Sequence, residues 1–360
     1  MLALLDHLEE GAPLTQKDFA ALLQNRTPAL TQTLFQRAAT VRRHHYGDEI
    51  YIRGLIEFTN VCKNDCLYCG IRRSNGAVHR YRLTPEQILA CCREGYALGY
   101  RTFVLQGGED PYFTPERLET LITAIKTAHP DCALTLSVGE QPRAVYQRWY
   151  DAGADRYLLR HETANDAHYR SLHPKALSPE TRRRCLWDLK DIGYQVGCGF
   201  MVGSPGQTIH HLAEDLCFLQ DFQPDMVGLG PFLPQKDTPL GHHPPGDLDL
   251  TLCLLALVRL LLPSVLLPAT TALGTLHPQG RELGIQAGAN VCMPNLSPPE
   301  VRGDYALYDN KCSIGGESAQ GISLLEARLA EIGCHIAVHR GDRKRPPATT
   351  LKQTDGEASC

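Results

Sequence analysis

Eight short runs rich in apolar, β-branched and aromatic residues recur from about residue 50 onward, at 51–58, 101–106, 133–138, 156–161, 195–202, 226–232, 265–271 and 289–293. Each reads as a buried strand, and the stretches between them carry helical spacing. Three of those stretches open on a hydroxyl, a proline and a carboxylate in succession: Thr84-Pro85-Glu86, Thr114-Pro115-Glu116 and Ser178-Pro179-Glu180. The hydroxyl caps free amides, proline suits the first helical position, and the carboxylate meets the positive end of the helix dipole. In the first, Gln87 is placed for a capping box. Strand and helix alternating eight times over roughly 250 residues predict an α/β fold, a parallel (β/α)8 barrel. A doubly wound open sheet is the alternative. The barrel is favoured because polar or glycine-rich motifs follow the strands at their carboxyl ends, where a barrel gathers its active site, as at 107–110, 139–140, 162–163, 203–206 and 270–271. The expected organisation is a helical extension over 1–49, the barrel over 50–297, a closing segment over 298–340 and a disordered tail over 341–360.

Charge and composition narrow the function classes. Against 40 acidic side chains stand 36 Lys and Arg, a formal net charge of −4, so a partner held by counterion release, nucleic acid above all, is not expected. The first ten residues carry Asp6, Glu9 and Glu10 in place of the basic start of a signal peptide. The most apolar run, 252–268, is interrupted by Arg259 and Pro263, which argues against a membrane span. A cytoplasmic protein is expected, and its 14 cysteines are then reduced thiols. Most lie in apolar stretches, where a thiol packs as a small hydrophobe.

Cys62, Cys66 and Cys69 differ. They form C-x3-C-x2-C in a polar loop after the first strand, flanked by Lys63, Asn64, Asp65 and Arg72-Arg73-Ser74-Asn75. Three thiolates so close in sequence can converge on one metal centre, and soft sulfur suits an iron–sulfur cluster or zinc. No fourth ligand follows closely, the nearest histidine, His79, being ten residues past Cys69. A three-ligand site leaves a position open for substrate or cofactor, whereas structural zinc is normally closed by a fourth protein ligand. Simple packing of three thiols is disfavoured by the polar loop around them.

C-x3-C-x-aromatic-C after the first strand of a barrel resembles the signature of the radical S-adenosylmethionine enzymes. The resemblance implies a [4Fe–4S] cluster on Cys62, Cys66 and Cys69 whose open iron chelates S-adenosylmethionine, with Tyr68 near the adenine. Gly107-Gly108-Glu109 is similar to the superfamily's motif for the methionine amino group. From about 51 to 311 the chain further resembles the radical-SAM maturases of [FeFe]-hydrogenase, HydE-type, through blocks such as Cys69-Gly70-Ile71-Arg72-Arg73, Arg80-Tyr81-Arg82-Leu83-Thr84-Pro85-Glu86, Leu158-Leu159-Arg160-His161-Glu162-Thr163 and Pro268-Ala269-Thr270-Thr271-Ala272.

Carried over by that resemblance, Gly108, Glu109, Glu162 and Arg182 contact the amino-acid part of S-adenosylmethionine, with Met201 and Tyr305 near the adenosyl group. Gln106, Gly107, Thr135, Ser137, Arg156, Arg160, Thr270 and Thr271 then line the substrate cavity. Guanidinium forks suit carboxylates or an anionic cyanide-bearing complex. Alternatively Arg156 and Arg160 form structural ion pairs with Asp155 or Glu162, and Thr135 and Ser137 merely fill the barrel. Gly107 departs from a serine in relatives, which is expected to enlarge the cavity locally. Some members hold a second cluster near the carboxyl end; only Cys312 falls in place here, so no second cluster is expected and Cys312 is a leftover thiol.

The resemblance implies reductive cleavage of S-adenosylmethionine to methionine and a 5′-deoxyadenosyl radical. The radical then acts on a small organometallic substrate, a cysteine-bound iron carbonyl–cyanide complex. Other hydrogenase maturation proteins are the implied partners, and a monomer is expected. The alternatives are another radical-SAM barrel enzyme, such as methylornithine synthase or biotin synthase, and a non-catalytic carrier or scaffold for a cluster.

Overall fold

The computed structural model describes residues 1–311 and 318–344. Three helices, Leu2–Glu9, Gln16–Gln24 and Pro28–Tyr46, precede the first strand. The strands are β1 (Glu49–Ile52), β2 (Gly54–Thr59), β3 (Thr102–Gly107), β4 (Ala133–Ser137), β5 (Arg156–Leu158), β6 (Gln195–Cys198), β7 (Met201–Val202), β8 (Met226–Val227), β9 (Gly230–Pro231), β10 (Val291–Cys292) and β11 (His335–Ala337).

Six of them, β2-β3-β4-β5-β6-β8, pair side by side in that order, all parallel. Parallel bridges close the ring: Met226 to Leu266, Pro268 to Val291, and Leu55 to Asn295. The seventh expected strand, 265–271, contributes the first two of these bridges rather than a ladder. The run 51–58 divides at Arg53, with β1 pairing β10 and β11 while β2 pairs β3. The run 195–202 divides at Gly199, where φ is +150° and a Cβ would lie 2.0 Å from the Gly228 carbonyl oxygen. Only glycine permits that approach of two backbones. The whole is the expected barrel-like α/β architecture.

Local chemistry explains the helices. Thr84 and Gln87 form the reciprocal capping box, and Thr114 and Ser178 each accept an amide at the head of their helices. Both faces of a parallel sheet are covered, so its strands are mostly apolar, and all six residues of β2 are buried, Glu57 and Thr59 among them. Burying a side chain such as Ile56, Phe103 or Leu136 stabilises by about 1.5–3 kcal/mol. Arg259, in the helix Leu248–Leu261, is fully buried because its guanidinium ties loop ends together, donating to the carbonyls of Gly288, Pro263 and Val265 and to Asn290 Oδ1. Among the described residues no helix is long and apolar enough to cross a membrane.

The amino end of the barrel is closed by the chain's own late segment. β11 runs parallel to β1, and beyond it Arg340 pairs with Asp155 at 2.9 Å, Asp342 with Arg156 at 2.6 Å and Arg343 with Asp225 at 3.4 Å. Residues 341–344 are therefore held in place, contrary to the expected start of disorder at 341. The reason is electrostatic: the buried Arg156 guanidinium requires a partner, and Asp342 supplies it. Residues 345–360 and Cys312, with the expectation that it stands outside any second cluster, lie outside the described residues.

Candidate active site

The cysteine loop leaves the carboxyl end of β2 and is tied at many points. Lys63 N donates to the Glu109 carbonyl and Arg73 N to that of Asn64, while Asp65 accepts from Arg72 Nε at 2.9 Å and Ser74 Oγ at 2.5 Å. Arg80 gathers four carbonyls of the loop and its flanks, those of Asn60, Ile71, Arg72 and Asn75. Gly70 lies so near the segment around 306 that a Cβ would sit 1.9 Å from the Ala306 carbonyl oxygen, and its amide donates to the Leu307 carbonyl. All three thiols line one cavity of about 310 Å³. Burial pushes each thiol up from its ordinary pKa, Cys69 to about 12 and Cys66 strongly. Such thiols stay protonated at neutral pH until a metal's positive charge compensates.

The turn after β3 brings Gly107, Gly108 and Glu109 beside the thiols. A Cβ on Gly108 would stand 2.3 Å from the Val61 carbonyl oxygen, so the two loops touch through backbone. At Gly107 a Cβ would meet Thr59 Cγ2 at 2.8 Å and the Phe58 ring at 3.2 Å. The missing side chain is thus a close approach to β2, and the expected local enlargement of the cavity is corrected to tight packing. Glu109 pairs with Lys63 at 3.1 Å and accepts the Glu140 amide.

Across the cavity, Glu162 adopts φ +66°, a left-handed conformation costly for a side chain of this size. Its bridge to Phe200 fixes that turn. Arg160 Nη2 lies 3.2 Å from Glu162 Oε2, yet neither atom makes an aligned hydrogen bond, and Arg160 Nε is also without one. Arg182 is held by Glu140 Oε1 and the Arg160 carbonyl, both at 2.5 Å, and the ion pair raises its pKa despite burial. Tyr68 is placed by His173, whose Nδ1 faces the Tyr169 carbonyl at 2.9 Å and whose Nε2 stands 3.3 Å from the Tyr68 hydroxyl. The carbonyl requires a proton on Nδ1, so Nε2 accepts from the tyrosine.

A third wall comes from 304–311. Asn60 Nδ2 donates to the Asp304 carbonyl, and Lys311 reaches both the Tyr305 carbonyl and the buried carboxylate of Glu57, which also accepts from Asn295. This sets Tyr305, Leu307 and Tyr308 along the cavity. The loop after β9 meets the same segment through Asp309 N donating to the Pro234 carbonyl.

The cavity thus brings together Cys62, Cys66, Tyr68, Cys69, Gln106, Gly107, Gly108, Glu109, Ser137, Arg160, Glu162, Arg182, Met201, Thr270 and Tyr305. Three expected residues are elsewhere. Thr135 and Arg156 line a separate void at the barrel's amino end together with Arg53 and Gln195, where Thr135 is the filler of the alternative reading. Arg156 forms the structural ion pair, with Asp342 in place of the expected Asp155. Thr271 opens the helix Thr271–Leu276 and does not line the cavity, whereas the Thr270 hydroxyl caps nothing and is left without a partner. Arg80, Glu140, His173 and Lys311 were missed by motif reading; Arg80 alone carried a signal, as a basic residue soon after the cysteine loop.

The residues fit a cluster and a zwitterionic ligand. Among the described residues no three metal-binding side chains converge tightly enough for one ion. A four-iron cube asks for wider spacing, with one thiolate on each of three irons. The buried Arg160 Nε and Nη2, Glu162 Oε2 and Thr270 Oγ1, all without an aligned hydrogen bond, are groups that a ligand with carboxylate, ammonium and hydroxyl functions would satisfy.

Residues 56–219 match the family model of the radical SAM superfamily. The chain is 48% identical over 314 residues to the [FeFe] hydrogenase maturase subunit HydE of Thermotoga maritima, covering 87% of this chain and 89% of that one. It is 31% identical over 307 residues to 3-methylornithine synthase of Methanosarcina barkeri, covering 84% and 86%. Among solved structures, methylornithine synthase (PylB) superposes with a TM-score of 0.83 at 29% identity over 93% of this chain and 97% of that one. The maturase HydG from Carboxydothermus hydrogenoformans shares the fold, with a TM-score of 0.77 at 21% identity over 93% and 78%. Sequence, barrel and thiol loop agree: the chain belongs to the radical SAM superfamily and, within it, to the family of the [FeFe] hydrogenase maturase subunit HydE.

Proposed function

We propose that the chain acts in maturation of [FeFe] hydrogenase as its HydE relative is named to do, using a [4Fe–4S] cluster and S-adenosylmethionine, the cofactors of its family. One observation carries the reading: three thiols, a glycine-glycine-acid turn and a set of polar atoms without aligned hydrogen bonds line a single cavity at the carboxyl ends of the strands. Cys62, Cys66 and Cys69 hold the cluster, which when bound supplies the electron that cleaves the sulfonium into methionine and a 5′-deoxyadenosyl radical.

The remaining roles belong to side chains. Gly108 and Glu109 take the ligand's ammonium group, Glu162 and Arg182 its amino-acid end, and Tyr68, Met201 and Tyr305 its adenosyl part. Gln106, Gly107, Ser137 and Thr270 hold the substrate, for which Arg160 offers forked donors. The class that suits such a lining is a small anionic organometallic molecule, a cysteine-bound iron carbonyl–cyanide complex. The wall 304–311 and the loop after β9 keep water away from the radical.

The test is anaerobic. Protein reconstituted with iron and sulfide is reduced and given S-adenosylmethionine, and 5′-deoxyadenosine is assayed against Cys66→Ala. Cluster-dependent cleavage, accelerated by the iron–cysteine complex, is the expected outcome. Formation of 3-methylornithine instead would favour a methylornithine-synthase-like activity, and a loaded cluster without cleavage would favour a carrier.

A further inference from the structure

Arg80 lies outside every motif assigned to the site, yet among the described residues no other side chain gathers the cysteine loop as it does. Its Nη1 donates to the carbonyls of Asn60 at 2.6 Å and Ile71 at 2.8 Å, and its Nη2 to those of Arg72 at 2.6 Å and Asn75 at 3.2 Å. Asn60 stands two residues before Cys62, and Ile71 two residues after Cys69. One rigid, planar group therefore clasps both ends of the loop that carries the three thiols. Neutral carbonyls are its only acceptors, and among the described residues no carboxylate pairs with it, so its charge is not locally cancelled. The guanidinium is thus held against the residues that flank the outer two thiols, Asn60 before Cys62 and Ile71 after Cys69.

We infer that Arg80 is a positioning residue with two separable tasks: it sets the spacing of the cluster ligands, and it places one uncompensated positive charge beside an anionic centre. The inference rests on the reading of this loop as the seat of an iron–sulfur cluster. Lysine keeps the charge but presents a single ammonium point, which cannot span four carbonyls. Glutamine keeps part of the donor capacity and no charge. The two substitutions therefore divide the two tasks.

The experiment uses the full chain, reconstituted anaerobically as wild type, Arg80→Lys, Arg80→Gln and Cys66→Ala. Two readouts are taken: the rate at which a ferrous chelator strips iron, and the midpoint potential of the cluster from a redox titration followed by electron paramagnetic resonance. Both Arg80 variants are expected to lose iron about tenfold faster or more, the order that follows from losing one or two charge-assisted hydrogen bonds. Arg80→Lys is expected to keep the wild-type potential, and Arg80→Gln to shift it to more negative values, because removing nearby positive charge disfavours the added electron. Wild-type iron retention in both variants overturns the inference. So does an Arg80→Gln potential equal to that of wild type, which would leave only a scaffold. If Arg80→Gln does not fold, Arg80→Met and Arg80→Lys decide the same two points. A wild type that loads no more iron than Cys66→Ala removes the underlying reading, an outcome distinct from failure of the arginine's role.

Discussion

Glu162 and Arg160 show what a single residue can reveal. A glutamate held at φ +66° beside a guanidinium, with its Oε2 and the Arg160 Nε and Nη2 lacking aligned hydrogen bonds, is costly unless a ligand completes the set. Replacing Glu162 by Gln should leave the fold intact and raise the Kd for S-adenosylmethionine about tenfold or more, read by equilibrium dialysis. An unchanged Kd would remove Glu162 from the ligand's contacts. His168 bears on pH. Buried against Ser204 and stacked on His211, it has a pKa of about 4 in the fold against 6.5 when free. Below pH 6.5 the unfolded chain binds a proton that the folded chain refuses, so stability falls as pH drops toward 4. Urea denaturation between pH 7 and pH 5 should show this slope, and His168→Gln should flatten it by up to about 1.4 kcal/mol per pH unit. Spacing made the three thiols legible in the sequence, and the family resemblance pointed to Gly108, Glu109 and Glu162, which line the same cavity. The resemblance also carried Thr135 and Arg156 into that cavity, where the structure does not place them, because a residue's face on a strand does not fix its height in the barrel. Ser137 stands two residues beyond Thr135 on the same face of β4, roughly 6–7 Å higher, and it alone reaches the cavity. The same argument separates Arg156 from Arg160.

Elements differ in how plainly a sequence announces them. Capped helices were legible because hydroxyl, proline and carboxylate act locally, as at Thr84. Strands were legible as apolar runs, but their breaks were not, since Gly199 and Gly228 interrupt them through an approach of backbones distant in sequence. Least legible was 304–311, which has no periodicity and owes its place to partners far away: Asn60, Gly70, Pro234 and Glu57. Its anchor is the buried pair of Lys311 with Glu57. Lys311→Met leaves a carboxylate buried without its cation and should cost about 3–5 kcal/mol, whereas the double substitution with Glu57→Leu should cost less than the single one. Thermal or denaturant unfolding of the three proteins checks the order. A double variant weaker than Lys311→Met would show that the pair is not the anchor. Gly70→Ala should be damaging in a different way, since its Cβ would drive the thiol loop off the Ala306 carbonyl, and reduced iron content after reconstitution is the measurement.

At the scale of the molecule, one end of the barrel is a cavity and the other is sealed by charge. Arg156 and Arg53 are buried there, and Asp342 reaches the first from the late segment. The Arg156 and Arg340 guanidinium groups hold the Asp342 carboxyl well below the usual carboxylate range. Its contribution is thus present above pH 4 or so and lost as pH falls through its folded value. Asp342→Asn should lower stability by about 1–3 kcal/mol at pH 7, with little change in the Kd for S-adenosylmethionine at the far end. Equal losses in both would link floor and mouth. The sequence alone placed this stretch in a loose tail, because Arg343-Lys344-Arg345-Pro346-Pro347 resembles one by composition, while the buried charges it answers to are visible only in three dimensions.

The third wall of the cavity has a consequence in time. A ribosome releases Cys62, Cys66 and Cys69 more than two hundred residues before it releases the stretch around Leu307 that receives the Gly70 amide. Until then the Gly70 amide lacks the carbonyl that receives it, and the cavity around the thiols lacks the wall that Tyr305, Leu307 and Tyr308 supply, so the site is complete only when nearly the whole chain has been made.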